Sequence, residues 1–250
     1  MLPEPRSLAE EPLCACEPGK SKSICVRAAY PYKGRLVMMT EIPKTMILSQ
    51  EKDREVYCAA TGERALIENF NINHWTHSAR RTLTHTFAKI SCSWDAKHRQ
   101  NLDSLALLVQ SRSDPADRCK IPLSEVTHLP PNPPQPYKYK LCAMTGTLFD
   151  KGNFVDEWLD HQRVMGVEHI VAYTVVTGNQ SLYVPAFQPT PKFQEMAEKG
   201  EITVVPWEPL LQPWQIYHRS QHLAYNDYLY RFRGLCEWTV FTDTDDFFIH

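Results

Sequence analysis

The chain has 250 residues, 43% hydrophobic and 22% charged, which is the composition of a globular protein long enough for one large domain or two smaller ones. Its 27 basic and 29 acidic side chains leave a net charge of -2, so the sequence gives no electrostatic reason to expect nucleic acid as a partner. No apolar run approaches the roughly 20 residues of a membrane span, and we expect neither a signal peptide nor a membrane anchor in this chain.

The first half of the chain is predicted to be rich in strands. Residues 1–22 are acidic and proline-rich, and we expect them to be disordered. Residues 23–128 contain short β-type runs separated by Pro, Gly, Asn and Asp, a pattern that favours a sandwich-like β module. The predicted strands are 24–30, 36–40, 46–49, 56–59, 84–92 and 105–110. In the run 84–92, alternation places Phe87 or its neighbours towards a core.

A proline-rich segment separates this module from the rest. Residues 129–136 (LPPNPPQP) hold five prolines, which keep a chain extended, so we expect a linker there. Beyond it, strands and helices alternate. The predicted strands are 137–145, 169–176, 202–207 and 238–242, and the predicted helices are 153–165, 190–199 and 214–233. Such alternation predicts an α/β fold with a mostly parallel, Rossmann-like sheet over residues 137–250.

Individual residues support these helices. In 153–165 one stripe carries Phe154, Trp158, Leu159, Gln162 and Met165, and Gly166 supplies a stop. In 190–199, Thr190 is the expected N-cap, Pro191 occupies the first position and Gly200 ends the helix. Four tryptophans are predicted to lie in the core: Trp158, Trp207, Trp214 and Trp238.

Eight cysteines are scattered without C-x-x-C spacing, which favours disulfides in an oxidising compartment over a zinc site. Eight buried free thiols are the alternative. Asn179 begins an N-glycosylation triplet, but about one such triplet is expected by chance in a chain of this length.

The strongest chemical signal is an acidic cluster directly after the last predicted strand: Asp243, Thr244, Asp245 and Asp246. In open α/β sheets ligands bind beyond the carboxyl ends of the strands. Carboxylates one residue apart suit Mg²⁺ or Mn²⁺, which share their coordination with nucleotide phosphates. The alternative interpretation is a solvated turn, since Asp clusters often form turns. A phosphatase-like nucleophilic Asp is disfavoured by the bulky Phe247.

Four blocks, in this order and spacing, resemble glycosyltransferase family 92: 137–149 (YKYKLCAMTGTLF), 157–173 (EWLDHQRVMGVEHIVAY), 221–233 (QHLAYNDYLYRFR) and 237–248 (EWTVFTDTDDFF). The resemblance implies a GT-A domain that transfers galactose, with inversion, from UDP-galactose to a glycan hydroxyl. Asp246 stands where the family usually has Glu. Tyr228 stands where it often has Cys, so a disulfide at that position is missing.

The resemblance also implies roles for single residues. Asp245 is the expected direct ligand of Mn²⁺ or Mg²⁺, and Asp243 contacts the ribose or the metal. Thr145 and Thr147 are expected to receive uracil and ribose, with turn residues as the alternative.

Two residues of the long helix, Gln221 and Asp227, could reach the donor, with a solvated or structural role as the alternative. Asp246 is expected to orient its neighbours. Glu157 and His161, one helical turn apart, are expected to form a structural pair.

An inverting transferase needs a general base. The resemblance places that base beyond His250, so we expect the chain to be a truncated GT-A domain holding the nucleotide-sugar-binding half, with a nucleotide-sugar donor and a glycan acceptor as partners. It further implies the Golgi lumen, with the membrane reached only through an anchor absent from this chain. The alternatives are a non-catalytic carbohydrate- or nucleotide-sugar-binding protein and an interaction protein whose Asp cluster is only a turn.

Overall fold

The computed structural model describes residues 13–14, 24–43, 54–69, 85–95, 104–112, 118–124, 126–127, 136–150, 154–176, 186–207 and 213–247. The chain divides into two compact units, one spanning Pro12–Pro130 and the other containing Pro131–His250. The predicted linker lies almost wholly outside the described residues, as does the predicted strand 46–49. No helix in the described ranges is long and apolar enough to cross a membrane.

The first unit consists of antiparallel strands in two sheets. Its strands are β1 (Leu13–Cys14), β2 (Cys25–Tyr32), β3 (Arg35–Pro43), β4 (Arg54–Cys58), β5 (Leu66–Asn69), β6 (His85–Ser93), β7 (Ala106–Ser111) and β8 (Arg118–Pro122). One sheet has the order β1-β2-β3-β6-β5 and the other β4-β7-β8. Lys33 and Gly34, both with positive φ, form the two-residue turn between β2 and β3.

One apolar core lies between these two sheets. It takes Val26, Met38 and Ile90 from the larger sheet and Val56 and Leu107 from the smaller. The disulfide between Cys58 in β4 and Cys92 in β6 joins the sheets covalently. The predicted sandwich-like arrangement is therefore present, and so are the expected disulfides.

Three short strands were not expected from the sequence. β1 lies within the segment predicted to be disordered, and β5 and β8 are new. The side chain of Phe87 lies outside the described part, but its neighbour Ala88 is buried in the core. Short strands with polar residues carry too little alternation to stand out, and they are stabilised by pairing with longer neighbours.

The second unit is an α/β layer structure. Its elements in chain order are β9 (Tyr139–Leu148), α1 (Val155–Val164), β10 (His169–Val175), α2 (Pro191–Glu198), β11 (Ile202–Trp207), α3 (Pro213–Arg231) and β12 (Cys236–Thr242). The four strands are parallel and lie in the order β11-β10-β9-β12. The prediction of an α/β unit with a parallel sheet is confirmed.

The order of this sheet reverses direction at β9. From β9 the chain moves outwards to β10 and β11, then returns to place β12 on the other side of β9. This is the switch point of a doubly wound sheet, where a crevice opens between two neighbouring strands. A disulfide between Cys142 and Cys236 ties the same two strands together.

Both shorter helices have the expected end signals. Thr190 caps α2 by accepting a hydrogen bond from the Phe193 amide at 3.1 Å. Gly166 and Gly200, at φ 80° and 74°, follow the ends of α1 and α2. On α1, Trp158, Leu159 and Gln162 are buried as predicted.

Two predictions about buried aromatic residues are wrong. Phe154 is 57% exposed, because it precedes α1 in a left-handed conformation and turns away from the buried stripe. Trp238 is 66% exposed on β12, the edge strand of the described sheet. Trp158 and Trp207 are buried, as predicted. The side chain of Trp214 lies outside the described part.

Candidate functional site

A cleft of about 240 Å³ lies at the carboxyl ends of β9 and β12. It is lined by residues 145–150 at the end of β9, by Phe154 before α1, by Gln221 on α3 and by residues 243–245 after β12. Most pockets for whole small molecules measure roughly 300–1,000 Å³, so this cleft accommodates part of a ligand of nucleotide size. Of the predicted site residues, it brings together Thr145, Thr147, Gln221, Asp243 and Asp245.

A bulge at the end of β9 shapes one wall of the cleft. Ala172 pairs with Thr145 and Thr174 pairs with Leu148, so β9 has one more residue than β10 over this stretch. Bulges re-aim side chains at the ends of strands and often adjoin functional sites. Thr145 and Thr147 thus lie inside a strand rather than just past it, which rules out the alternative that they are turn residues.

The acidic cluster forms a turn at the end of β12. The Asp246 amide donates to the Asp243 carbonyl at 3.1 Å, and the Asp243 amide donates to Asp246 Oδ2 at 3.2 Å. Asp246 therefore supports the turn, while Asp243 and Asp245 line the cleft. The cluster thus forms a turn, and residues 243–245 of that turn are part of the cleft wall.

Asp243 is held by two side chains of α3. The Gln221 amide donates both to Asp243 Oδ1 and to the Tyr225 hydroxyl, and that hydroxyl lies 3.5 Å from the same carboxylate oxygen. Burial, reinforced by the neighbouring Asp246 and Asp245, raises the pKa of Asp243. Burial and the Asp243 charge raise the pKa of Tyr225 to about 12, so its hydroxyl remains protonated at neutral pH. A nearby positive charge would relieve the repulsion among these carboxylates.

Asp227 does not line the cleft. It is buried beneath the sheet, where it accepts a hydrogen bond from Tyr173 at 2.7 Å and pairs with Arg231 at 3.0 Å. This arrangement fastens α3 to β10, and donor contact by Asp227 stays a prediction.

Glu157 and His161 on α1, which were expected to pair, form no ion pair in the described part of the chain. His161 instead meets the ring of Phe247 edge-on, with centroids 5.2 Å apart. His250 lies outside the described residues.

Sequence reasoning missed four residues at this site: Phe149, Asp150, Phe154 and Tyr225. The first three follow β9, and a signal for them existed in their position just beyond a strand end. Asp150 and Phe154 have φ of 53° and 64°, a conformation uncommon outside glycine that often accompanies functional sites. Tyr225 was detectable as the residue one turn after Gln221 on the same helix.

The charges of the cleft restrict what it can bind. Its lining has three carboxylates, those of Asp150, Asp243 and Asp245, and none of the described lining residues is Lys, Arg or His. An anionic ligand would be repelled unless a cation accompanied it. Carboxylate and hydroxyl oxygens are the ligands that Mg²⁺ and Mn²⁺ prefer. No group of three or more His, Cys, Asp or Glu suited to a metal occurs in the described part. A bound cation would therefore need oxygens from the ligand or from water as well.

Comparison with protein-family models gives one match for this unit. Residues 140–250 match the model described as glycosyltransferase family 92, a stretch that includes every residue of the cleft and, apart from Tyr139, the four strands of the sheet. A search of curated proteins returned no significant match. A glycosyltransferase acts on a sugar donor and an acceptor. Residues 140–250 are therefore similar to glycosyltransferase family 92, and the match supports a glycosyltransferase assignment for this stretch.

Proposed function

We propose that the protein transfers a hexose, galactose from UDP-galactose, to a hydroxyl of a glycan acceptor, with inversion and with Mn²⁺ or Mg²⁺ as cofactor. The observation that supports this proposal is that Asp243, Asp245, Thr145 and Thr147 line one cleft. The cleft lies at the switch point of a parallel sheet. The family assignment supports a sugar donor, and the parallel sheet is compatible with a GT-A domain.

The residues of the cleft fit a divalent cation shared with a pyrophosphate. Asp245 is exposed and free to turn towards a ligand, and Asp243 presents a half-buried carboxylate beside it. Asp243 and Asp245 would hold the cation, and further oxygen ligands would have to come from the nucleotide or from water, as is usual for Mg²⁺ and Mn²⁺. The cation supplies charge neutralisation for the departing nucleoside diphosphate.

The rest of the cleft fits the nucleoside. The Thr145 and Thr147 side chains offer hydroxyls for hydrogen bonds to ribose or uracil. Phe149 and Phe154 add apolar surface to a wall that is otherwise polar. We assign no general base among the described residues, because Asp243 and Asp245 are proposed to serve the donor and its cation.

The disulfides Cys58–Cys92 and Cys142–Cys236 support a location in the secretory pathway, since disulfides persist in oxidising compartments. We propose the Golgi lumen within that pathway, where nucleotide sugars meet glycan acceptors. The β module of the first unit is proposed to assist with the glycan.

The test is calorimetric titration of the purified chain with UDP and with UDP-galactose, in MnCl₂ and again in EDTA. Binding should require the cation and be lost in Asp245→Ala, because one of two protein ligands disappears. Glu198→Ala, an exposed carboxylate on α2, is the matched control and should bind as the wild type does.

Release of the nucleoside diphosphate, UDP from UDP-galactose or UDP-glucose and GDP from GDP-mannose, identifies the donor, and NMR of any transfer product gives the anomeric configuration. The metal-dependent proposal would be overturned if Asp245→Ala bound UDP as well as the wild type does, or if the UDP affinity of the wild type were the same in EDTA as in MnCl₂. Cation-dependent binding with neither hydrolysis nor transfer would support a non-catalytic nucleotide-sugar-binding protein instead.

A further inference from the structure

We propose that Gly146, Gln221 and Tyr225 form a positioning chain that fixes one oxygen of the Asp243 carboxylate and leaves its other oxygen for the donor and its cation. The inference rests on the proposed function, because it takes Asp243 as a donor-side contact. It adds a role for three residues that do not themselves have to touch the ligand.

The first step is the hydrogen bonding of Gln221. Its amide nitrogen lies 2.6 Å from the Tyr225 hydroxyl and 2.5 Å from Asp243 Oδ1. A carboxylate only accepts, so the nitrogen and not the oxygen of the amide must face it. Both protons of the amide are then used, one on each partner. Gln221 is thereby locked in a single orientation.

The second step concerns Tyr225. Its hydroxyl accepts from Gln221, so its own proton is available, and Asp243 Oδ1 is 3.5 Å away. Gln221 and Tyr225 thus converge on the same oxygen, and neither uses Oδ2. The Tyr225 ring packs edge-on against Phe241, with centroids 5.2 Å apart, two residues before Asp243 on β12. This contact holds α3 in register with the strand that carries Asp243.

The third step explains Gly146. A Cβ at this position would lie 2.9 Å from Cγ and 3.0 Å from Nε2 of Gln221, closer than side chains tolerate. The affected Cγ is in the middle of the side chain, so Gln221 could not simply move its tip aside. Gly146 does not have a positive φ, so space rather than backbone conformation requires glycine here. Any larger residue would displace Gln221 from Asp243.

This geometry gives a preorganised carboxylate. If the Asp243 side chain could rotate, it would lose conformational entropy when the ligand binds, and this loss would weaken binding. Because Oδ1 is already held by hydrogen bonds, that entropic cost is smaller. Groups that orient metal ligands typically change metal affinity roughly 10–100-fold when removed. We expect Gln221→Met, which keeps the length and loses both bonds, to weaken Mn²⁺-dependent UDP binding by about 10-fold or more.

The decisive experiment is a double-mutant cycle on the full chain, with Mn²⁺ and UDP as probes. Gly146→Ala and Gln221→Ala are made singly and together, and the UDP affinity in MnCl₂ is measured by calorimetry alongside the melting temperature. If Gly146 acts only by making room for Gln221, Gly146→Ala should weaken binding in the wild-type background and have no further effect in Gln221→Ala. Tyr225→Phe should give a smaller loss, with Tyr137→Phe, an exposed tyrosine, as its control.

The outcomes separate this inference from the proposed function. Wild-type protein that fails to bind UDP with Mn²⁺ overturns the proposed function. Wild-type protein that binds, together with Gln221→Met that binds equally well, overturns the positioning chain alone. The positioning chain is also overturned if Gly146→Ala weakens UDP binding by the same factor in the wild type and in Gln221→Ala. A fall in melting temperature without a change in cation-dependent affinity would show a structural role only and count against the proposal.

Discussion

Cys142 in β9 is bonded to Cys236 in β12, across 94 residues of sequence, and the same two strands carry Thr145 and lead directly into Asp243 at the cleft. The strands are also hydrogen-bonded in parallel from Tyr139–Cys236 to Thr145–Thr242. The disulfide therefore joins the two strands whose carboxyl ends form the cleft.

Removing this disulfide should destabilise the second unit. A loop of this length corresponds to about 4–5 kcal/mol in the chain-entropy account, and we expect that loss for Cys142→Ala with Cys236→Ala. Guanidinium titration measures it, and UDP affinity should fall as well. The matched control is Cys58→Ala with Cys92→Ala, whose loop of 34 residues corresponds to about 3–4 kcal/mol. The control should leave UDP affinity unchanged, and equal losses of affinity in both would contradict the prediction.

The exposed ring of Phe154 should contribute to nucleotide binding. It is 57% exposed in a cleft wall and held in a left-handed conformation, so it is presented to a ligand rather than packed. Aromatic contacts are worth about 0.5–1.5 kcal/mol, so Phe154→Ala should weaken UDP binding by roughly 2- to 12-fold with little change in stability. Val164→Ala, an 84% exposed apolar residue at the end of the same helix, is the control and should have no effect on affinity.

Asp227→Ala should unfold the second unit readily. Its carboxylate is 1% exposed and paired with Arg231, whose side chain is 7% exposed, so the change would remove the Asp227 carboxylate from a buried guanidinium. Breaking a buried pair from one side costs about 3–5 kcal/mol. The control is Glu195→Ala, which removes an exposed pair of the same i, i+4 spacing with Lys199 and should cost less than about 0.5 kcal/mol. A stable Asp227→Ala variant with lost UDP binding would return Asp227 to the donor site.

Acidification should destabilise the second unit through His169. Burial, aided by the Lys138 charge, lowers the pKa of His169 to about 4, and its ring stacks on Tyr139 and contacts the Thr203 hydroxyl at 2.8 Å. The unfolded chain protonates this histidine near its ordinary pKa of about 6.5. Between these values the unfolded state binds more protons, so stability falls as pH falls, by up to about 1.4 kcal/mol per pH unit.

The measurement is the free energy of unfolding of wild type and His169→Gln at several pH values from 7.5 to about 4. The difference between the two proteins should shrink steadily as pH drops through this window. A difference that stays constant with pH would contradict the prediction, because it would show that the pKa of His169 is the same in the folded and the unfolded protein.

Two residues of α3 that were predicted to reach the donor face different sides of the helix. Gln221 and Asp227 were both predicted to reach the donor, yet six residues at 100° each place them about 120° apart around a helix, so one cleft cannot receive both. Gln221 faces the cleft and Asp227 faces β10. Helical geometry alone could have separated them, and it also places Tyr225 beside Gln221.

Four features were predictable from local sequence: the alternation of strands and helices after residue 137, the end signals of α2, the buried stripe of α1, and the acidic residues at a strand end. These follow from periodicity, from backbone preferences and from the position of a residue along its own element, all of which are local. Long-range packing was needed to show that β9 and β12 are neighbours, that Trp238 is exposed while Trp158 is buried, and which groups surround Asp243. Strand order and side-chain contacts depend on how distant segments pack, and no local pattern in one segment specifies its partner.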